Sequence, residues 1–122
     1  MMLAKFSDLE NKSVFITGGG SGIGAEITKA FIQQGAKVSF VQRSDAEHFC
    51  DKVEAEFNSR PYFIKCDITD LNALKKAVEL ANSVNGDAEI LVNNAANDDR
   101  HETLNVTEEY WAVSYTHLTL PT

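Results

Sequence analysis

Cysteine is scarce in this chain. Its 122 residues include only Cys50 and Cys66. The spacing of the two matches neither a Cys-x-x-Cys redox pair nor a set of zinc ligands. We therefore interpret both as small packing residues and predict no metal site.

Positive charge is also in short supply. The chain has 11 Lys and Arg residues against 18 Asp and Glu residues, which gives a formal net charge of −7. No basic cluster offsets this balance, and nucleic-acid binding depends on clustered Lys and Arg to neutralise phosphates. The composition argues against a nucleic-acid partner.

Long apolar runs are missing as well. No segment approaches the roughly 18 apolar residues that a membrane-spanning helix needs. Residues 1–8 contain no apolar core long enough for a secretion signal. We expect a cytoplasmic protein with no membrane partner.

What the sequence does contain is a glycine-rich stretch, Thr-Gly-Gly-Gly-Ser-Gly-Ile-Gly, at residues 17–24. It follows an apolar run at residues 14–16. Glycines between a strand and a helix let the backbone approach a phosphate, while the free amides of the helix start supply donors and partial positive charge. The stretch therefore predicts a phosphate-binding loop. The apolar positions expected to face the core in the following helix are Ile23, Ile27, Ala30 and Phe31.

Further apolar runs alternate with segments of helical periodicity along the rest of the chain. This alternation predicts an α/β fold with a parallel sheet. Ser44 and Glu47 have the spacing of a capping box at the start of the second helix, and Asn85-Gly86 is typical of a helix end. The predicted strands are residues 13–17, 37–41, 62–66 and 90–92.

Two separated motifs resemble one protein family. The spacing Gly18-x-x-x-Gly22-x-Gly24 after Thr17 resembles the Thr-Gly-x-x-x-Gly-x-Gly element of the short-chain dehydrogenase/reductase family. Residues 93–96, Asn-Asn-Ala-Ala, resemble its Asn-Asn-Ala-Gly element with alanine in place of glycine. The resemblance implies the N-terminal half of a Rossmann-type doubly wound parallel sheet, with three α/β/α layers and strand order 3-2-1-4. It also implies NAD(P)-dependent hydride transfer to or from a carbonyl or alcohol, and a homo-oligomer for the full-length protein.

The resemblance places a cofactor at the carboxyl ends of the strands. The glycine loop would hold the pyrophosphate, the end of the second strand would meet the adenosine ribose, and residues after the third and fourth strands would line the crevice. The candidate cofactor-binding residues are Thr17, Gly18, Gly20, Ser21, Gly22, Ile23, Gly24, Gln42, Arg43, Asp67, Ile68, Asn94, Ala95 and Ala96.

The end of the second strand decides the cofactor preference. A carboxylate there would accept hydrogen bonds from the ribose hydroxyls of NAD and repel a 2′-phosphate, but the aligned residue is the uncharged Gln42. Arg43 next to it offers a planar cationic fork to that phosphate. Ser21 stands where NADP-preferring members often carry a second basic residue. The sequence favours NADP over NAD.

Some of these residues also have purely structural interpretations. Asp67 fits a carboxylate that caps a loop, and Asn93 and Asn94 fit an Asx turn at the end of a strand. Arg43 fits a surface arginine with no ligand. These alternatives stay open on the sequence alone.

The loop after the fourth strand is polar, with Asn-Asp-Asp-Arg-His at residues 97–101. Its carboxylates and histidine raise a metal hypothesis, but neighbours in one loop rarely converge on an ion, so we favour a solvated loop. The run also resembles family members that oxidise aldose sugars such as xylose or arabinose. A sugar is therefore a candidate substrate.

The catalytic pair of the family has no match in this sequence. The resemblance calls for a tyrosine with a lysine four residues later, because a phenol of pKa near 10 without a cationic neighbour is a poor base at neutral pH. We therefore assign no catalytic residue and expect the chain itself to be inactive. The residues that follow at this spacing are Cys66 after Tyr62, Ser114 after Tyr110 and Thr119 after Tyr115.

The last ten residues do not continue the preceding pattern. Residues 113–122 are rich in threonine, lack helical spacing, and resemble the translation of a transposon end and adaptor used in sequencing libraries. We interpret residues 1–112 as a truncated NAD(P)-binding Rossmann domain and residues 113–122 as a non-native read-through tail. A genuine tail is the alternative.

Two other functions compete with an oxidoreductase. One is a non-catalytic dinucleotide-binding module, and the other is a methyltransferase, although Gln42 replaces the acidic residue that usually holds the ribose there. P-loop chemistry is excluded because Ala25, not lysine, follows Gly24. For a truncated dehydrogenase that lacks the later strands, the fourth strand at residues 90–92 would be an unpaired apolar edge with one face poorly covered, so we expect the isolated chain to be marginally stable or insoluble.

Overall fold

The structure, a computed structural model, describes residues 7–94 of the chain. Within that part, four strands alternate with three α-helices after a short 3-10 turn at Ser7–Leu9. No helix among these residues is long and apolar enough to cross a membrane. The elements are β1 Ser13–Thr17, α1 Gly22–Gln33, β2 Lys37–Gln42, α2 Glu47–Phe57, β3 Tyr62–Lys65, α3 Leu71–Asn85 and β4 Ile90–Asn93.

The four strands form one parallel sheet in the order β3-β2-β1-β4. This confirms the predicted strand order and the Rossmann-type α/β fold. In register, Thr17 lies opposite Val41 on one side and Asn93 on the other. The carboxyl ends of β1, β2 and β4 therefore lie side by side at one end of the sheet, where open parallel sheets bind their ligands.

Two apolar clusters cover the two faces of the sheet. On one face, α3 packs its buried Leu74 and Val78 against Phe15 and Val41. On the other face, α1 and α2 cover the fully buried Phe40. Because both faces are covered, all five residues of β1 are buried, which is typical of an unbroken apolar run in a parallel sheet.

The predicted capping box at the start of α2 is wrong. The N-cap residue is Ala46, and no side chain caps the helix from that position. Instead, the Glu47 amide donates to the Asp45 carboxylate at 3.4 Å. The hydroxyl of Ser44 accepts a hydrogen bond from the Gln42 side chain, which holds Ser44 at the end of β2 rather than at the helix start.

The apolar stripe predicted for α1 is partly wrong. Ile23 is 74% exposed and Ala30 is also exposed, whereas Ile27 and Phe31 pack against the core. Small residues are buried in the first turns of the helix instead, because its start lies very close to the end of β1. The buried residues of α1 are Gly24, Ala25, Thr28 and Ile32.

Strand β4 lies at the edge of the sheet within the described residues. Its apolar side chains Ile90, Leu91 and Val92 are only half-buried, in contrast to the fully buried β1. The expectation of an incompletely covered apolar strand therefore matches the structure of residues 7–94. The low solubility that we expect from it stays a prediction.

Candidate functional site

A threonine at the end of β1 connects the two neighbouring strand ends. The hydroxyl of Thr17, which is fully buried, donates to the Asn93 side-chain oxygen at 3.0 Å. The same hydroxyl accepts a hydrogen bond from the backbone amide of Asn94 at 2.9 Å. Thr17 thus fixes how the chain leaves β4, beside the glycine loop.

The glycine loop begins with backbone contacts to both sides. The amide of Gly18 donates to the carbonyl of Val41 at 2.7 Å, and its carbonyl accepts from the Asn94 side-chain amide at 3.1 Å. A Cβ added at Gly24 would overlap the carbonyl oxygen of Gly18 and lie 2.5 Å from the Asn94 amide nitrogen. Only glycine at position 24 allows α1 to start so close to the end of β1.

The middle of the loop is held by side chains from two other elements. The hydroxyl of Thr28, buried in α1, donates to the Gly19 carbonyl at 2.8 Å. The amide of Gly20 donates to the side-chain oxygen of Gln42 at 2.9 Å. The nitrogen of Gln42 in turn donates to the carbonyl and the hydroxyl of Ser44, both at 3.1 Å. One side-chain amide therefore joins the loop to the turn after β2.

The start of α1 is open. Ser21 is the N-cap residue with extended backbone, and its side chain makes no capping hydrogen bond. Gly22 has a φ of 56° and a Cβ added there would meet nothing within 4 Å. The first amides of an α-helix have no acceptor within the helix and carry partial positive charge. This geometry suits an anionic group.

A crevice of about 320 Å³ lies beside the loop. It is formed by the loop, the end of β2 and the segment after β3. Its lining residues are Gly18, Ser21, Val41, Gln42, Arg43, Ser44, Cys66, Asp67, Ile68 and Thr69.

The charged groups of the crevice are Arg43 and Asp67. One Asp67 oxygen accepts from the backbone amide of Thr69 at 2.9 Å and from its hydroxyl at 2.7 Å. These two hydrogen bonds, and then the positive charge of Arg43, lower the pKa of Asp67 below its ordinary value. Asp67 is therefore both a loop-capping carboxylate and a crevice residue, and it is ionised at neutral pH.

The two cysteines are buried and free. Burial, followed by the negative charge of Asp67, raises the pKa of Cys66 to about 11. Burial likewise raises the pKa of Cys50 to about 11. Both thiols stay protonated at neutral pH, so neither supplies a thiolate nucleophile, and both serve as packing residues as expected.

The structure gathers most of the predicted site residues. Gly18, Ser21 and the pairs 42–43 and 67–68 line the crevice, while Ile23 and Gly22 lie exposed at the start of α1. Ala95, Ala96, the polar loop 97–101 and the tyrosines after it lie outside the described residues. Among residues 7–94, no group of three or more His, Cys, Asp or Glu side chains is placed to hold a metal ion.

Sequence reasoning missed Ser44 and Thr69 as crevice residues. Each lies two positions after a predicted site residue, Gln42 or Asp67, and forms a hydrogen bond with that residue's side chain. This spacing, a polar residue two positions beyond a strand-end amide or carboxylate, is the signal that could have found them.

Comparisons with known proteins agree with the motifs. A family model described as short chain dehydrogenase matches residues 12–117. The protein named Probable galactose dehydrogenase GalD of Rhizobium meliloti is 43% identical over 110 residues, which cover 88% of this chain and 43% of that protein. D-xylose 1-dehydrogenase of Caulobacter vibrioides is 42% identical over 114 residues, which cover 91% of this chain and 44% of that enzyme.

Solved structures share the fold. The crystal structure of L-sorbose reductase from Gluconobacter frateurii, complexed with NADPH and L-sorbose, aligns with a TM-score of 0.74 and 26% sequence identity. The alignment covers 89% of this chain and 46% of the reductase. The chain thus spans less than half of the length of each of these three proteins.

Proposed function

This chain belongs to the short-chain dehydrogenase family, and from that premise we propose that its glycine loop and crevice bind a nicotinamide dinucleotide, with NADP preferred over NAD. Three features support the proposal: the open start of α1, the cationic side chain of Arg43, and the uncharged side chain of Gln42. The relative of known structure that was crystallised with NADPH supports the choice of cofactor class.

The pyrophosphate would lie at the start of α1. Gly22 has a left-handed φ, and a Cβ added to it would meet no atom within 4 Å. A phosphate can therefore approach the amides that follow it. The first helical amides and the helix dipole favour an anion at this position. Ser21 and Ile23 would flank the phosphates, and Gly24 would let the helix start close enough to the strand.

The adenosine ribose and its 2′-phosphate would lie at the end of β2. Arg43 is exposed and lines the crevice, so its guanidinium can reach a phosphate and bind it through two parallel hydrogen bonds. No carboxylate stands at residues 42–44, which are Gln, Arg and Ser, to repel that phosphate at the end of β2. Asp67 and Ile68 on the opposite wall would contact the adenine. This combination of an arginine with an amide is the observation that carries the NADP preference.

The chemistry itself belongs to the cofactor, which supplies or accepts a hydride when bound. The residues of this chain would bind and orient it. We propose that the full-length protein transfers hydride to or from a carbonyl or alcohol of a sugar, because two relatives are named as sugar dehydrogenases. Residues 1–112 would form the first part of the dinucleotide domain, and residues 113–122 a non-native tail. The groups that move the proton would lie outside this chain.

Nucleotide titration of the 122-residue chain tests the proposal. NADPH fluorescence should rise on binding, and NADH should bind more weakly by about tenfold, the value of one charge-assisted contact. Arg43→Ala should lower the affinity for NADPH and leave that for NADH nearly unchanged. Equal affinities before and after the substitution would overturn the NADP preference. Binding of S-adenosylmethionine in place of both nucleotides would overturn the cofactor class.

A further inference from the structure

Both the oxygen and the nitrogen of the Gln42 side-chain amide form hydrogen bonds within the protein. Its oxygen accepts from the Gly20 amide at 2.9 Å, and its nitrogen donates to two acceptors of Ser44 at 3.1 Å. A primary amide has two N–H donors, so Ser44 can occupy both. The three partner groups lie on two residues, Gly20 in the glycine loop and Ser44 in the turn before α2, and Gln42 at the end of β2 joins them.

Position 20 requires glycine because of its close contact with Gln42, and not because of its backbone conformation. Its φ is not left-handed, unlike that of Gly18 or Gly22. A Cβ added at Gly20 would overlap the oxygen of Gln42 and lie 2.8 Å from its Cδ and 3.0 Å from the Cβ of Ala46. The loop and the amide are therefore packed directly against each other, and a methyl group at position 20 would displace the Gln42 side chain.

We propose that Gln42 is a positioning residue that locks the glycine loop to the turn after β2, and that it does not itself bind the ribose. The inference rests on the proposed function, since it assigns this role within the dinucleotide site. In a site that reads a free ribose, the side chain at the end of the second strand accepts hydrogen bonds from the ribose hydroxyls. Here the side-chain oxygen of Gln42 already accepts from the Gly20 amide. Arg43 is therefore the residue that distinguishes NADPH from NADH at the 2′ position.

The lock makes a specific prediction about affinity. Both nucleotides contain the same pyrophosphate, and binding of that group depends on the glycine loop. Loosening the loop should therefore weaken NADPH and NADH by the same factor and leave their ratio unchanged. A Gln42 that contacted the ribose directly would change the ratio, because the two nucleotides differ only at the 2′ position.

Four variants of the 122-residue chain separate these possibilities: Gln42→Ala, Gly20→Ala, the double variant, and Arg43→Ala. Gln33→Ala is the matched control, because it removes an exposed glutamine at the far end of α1. Affinities for NADPH and NADH are measured by fluorescence titration below the thermal midpoint of every variant. Protection of the Gly20 amide from hydrogen exchange is measured without nucleotide, as a readout that does not depend on binding.

Gln42→Ala should weaken both nucleotides by about threefold to tenfold, the value of a hydrogen bond, with an unchanged ratio and faster exchange at Gly20. Gly20→Ala should have a similar effect, and the double variant should be no worse than either single one, because both break the same contact. Only Arg43→Ala should change the ratio. A changed ratio in Gln42→Ala, additive effects in the double variant, or unaltered exchange at Gly20 would overturn the positioning role. If the unsubstituted chain binds neither nucleotide, the proposed function fails, and so does the role of Arg43 in distinguishing the two nucleotides. The hydrogen-exchange measurement at Gly20 still decides whether Gln42 locks the loop.

Discussion

The two ends of the parallel sheet use their polar groups differently. At the end where the strands begin, Lys12 pairs with Glu89 at 3.2 Å. The other oxygen of Glu89 accepts from the Ser13 amide at 3.4 Å, and the hydroxyl of Ser13 donates to the Gly86 carbonyl at 2.9 Å. These contacts tie the start of β1 to the segment before β4, and we call this the closed end of the sheet.

At the end where the strands finish, polar side chains hold backbone in place around an open space. Thr17 and Gln42 each bond to main-chain groups of a neighbouring segment, while the start of α1 keeps its first amides without acceptors in the helix. The comparison separates two uses of similar hydrogen bonds. Substitutions at the closed end should change stability alone, whereas substitutions at the crevice end should change stability and nucleotide binding together.

The largest expected effect is that of Gly24→Ala at the crevice end. The added methyl would overlap the Gly18 carbonyl, which is backbone and cannot move aside easily. We expect a loss of about 3 kcal/mol or more in the free energy of unfolding. In a marginally stable chain this removes the cooperative transition seen by far-UV circular dichroism.

Gly86→Ala is the matched control at the closed end. Its φ is 87° and its ψ 166°, a region that is essentially restricted to glycine, and a Cβ there meets nothing within 4 Å, so the cost is conformational and about 1 to 3 kcal/mol. If the two variants were equally stable, the close approach of α1 to β1 would not be the reason for glycine at position 24.

The second effect is that of Thr17→Val. Valine keeps the shape of threonine but leaves the Asn94 amide and the Asn93 oxygen without the hydroxyl that joins them. We expect a loss of about 1 to 3 kcal/mol, measured by urea unfolding, with weaker NADPH binding. Ser13→Ala removes a single donated hydrogen bond at the closed end and should cost about 1 kcal/mol with unchanged binding. An equal loss of affinity in both variants would contradict the separation of the two ends.

The sequence predicted the four strands and most of the crevice residues because those signals are local, whereas the strand order came from the resemblance of two motifs to a known family. Apolar runs marked the four strands, and the glycine spacing marked the turn that follows β1. The placement of Asp67 and Ile68 at the crevice followed from their positions just beyond a strand end, where parallel sheets bring chain segments together.

The Gln42 lock could not be predicted in the same way. Gly20 and Gln42 are 22 residues apart, and their contact depends on how the glycine loop packs against the end of β2. The failed capping box has a local cause, because the side-chain nitrogen of Gln42 donates to the hydroxyl of Ser44, two residues later, and holds it away from the start of α2. Local spacing predicted a cap for Ser44, and a different local hydrogen bond took its hydroxyl instead.

A smaller effect concerns the pH dependence at the crevice end. Thr69→Ala removes the hydroxyl bond to Asp67 but keeps the backbone bond, so the pKa of Asp67 should rise toward its ordinary value without reaching it. Because folding lowers this pKa, Asp67 stabilises the fold above its ordinary pKa and loses that contribution as the pH falls through the lowered value. The variant should therefore be less stable by about 0.5 to 1 kcal/mol at neutral pH and approach the unsubstituted chain in acid. NMR titration of the carboxyl checks the pKa, and Thr69→Ser, which keeps the hydroxyl, should behave like the original.

The smallest effect is expected for Glu89→Gln at the closed end. The hydrogen bond from Lys12, followed by that from the Ser13 amide, lowers the pKa of Glu89. Its contribution is thus present above the ordinary pKa of a glutamate and lost as the pH falls through the lowered folded value. Exposed ion pairs stabilise little and are screened by salt, so the thermal midpoint should drop slightly at neutral pH and low salt, and the difference should vanish in acid or high salt. Affinity for NADPH should not change, because no contact of Glu89 reaches the glycine loop. A fall in affinity with an unchanged midpoint would show instead that the closed end is coupled to the crevice across the length of β1.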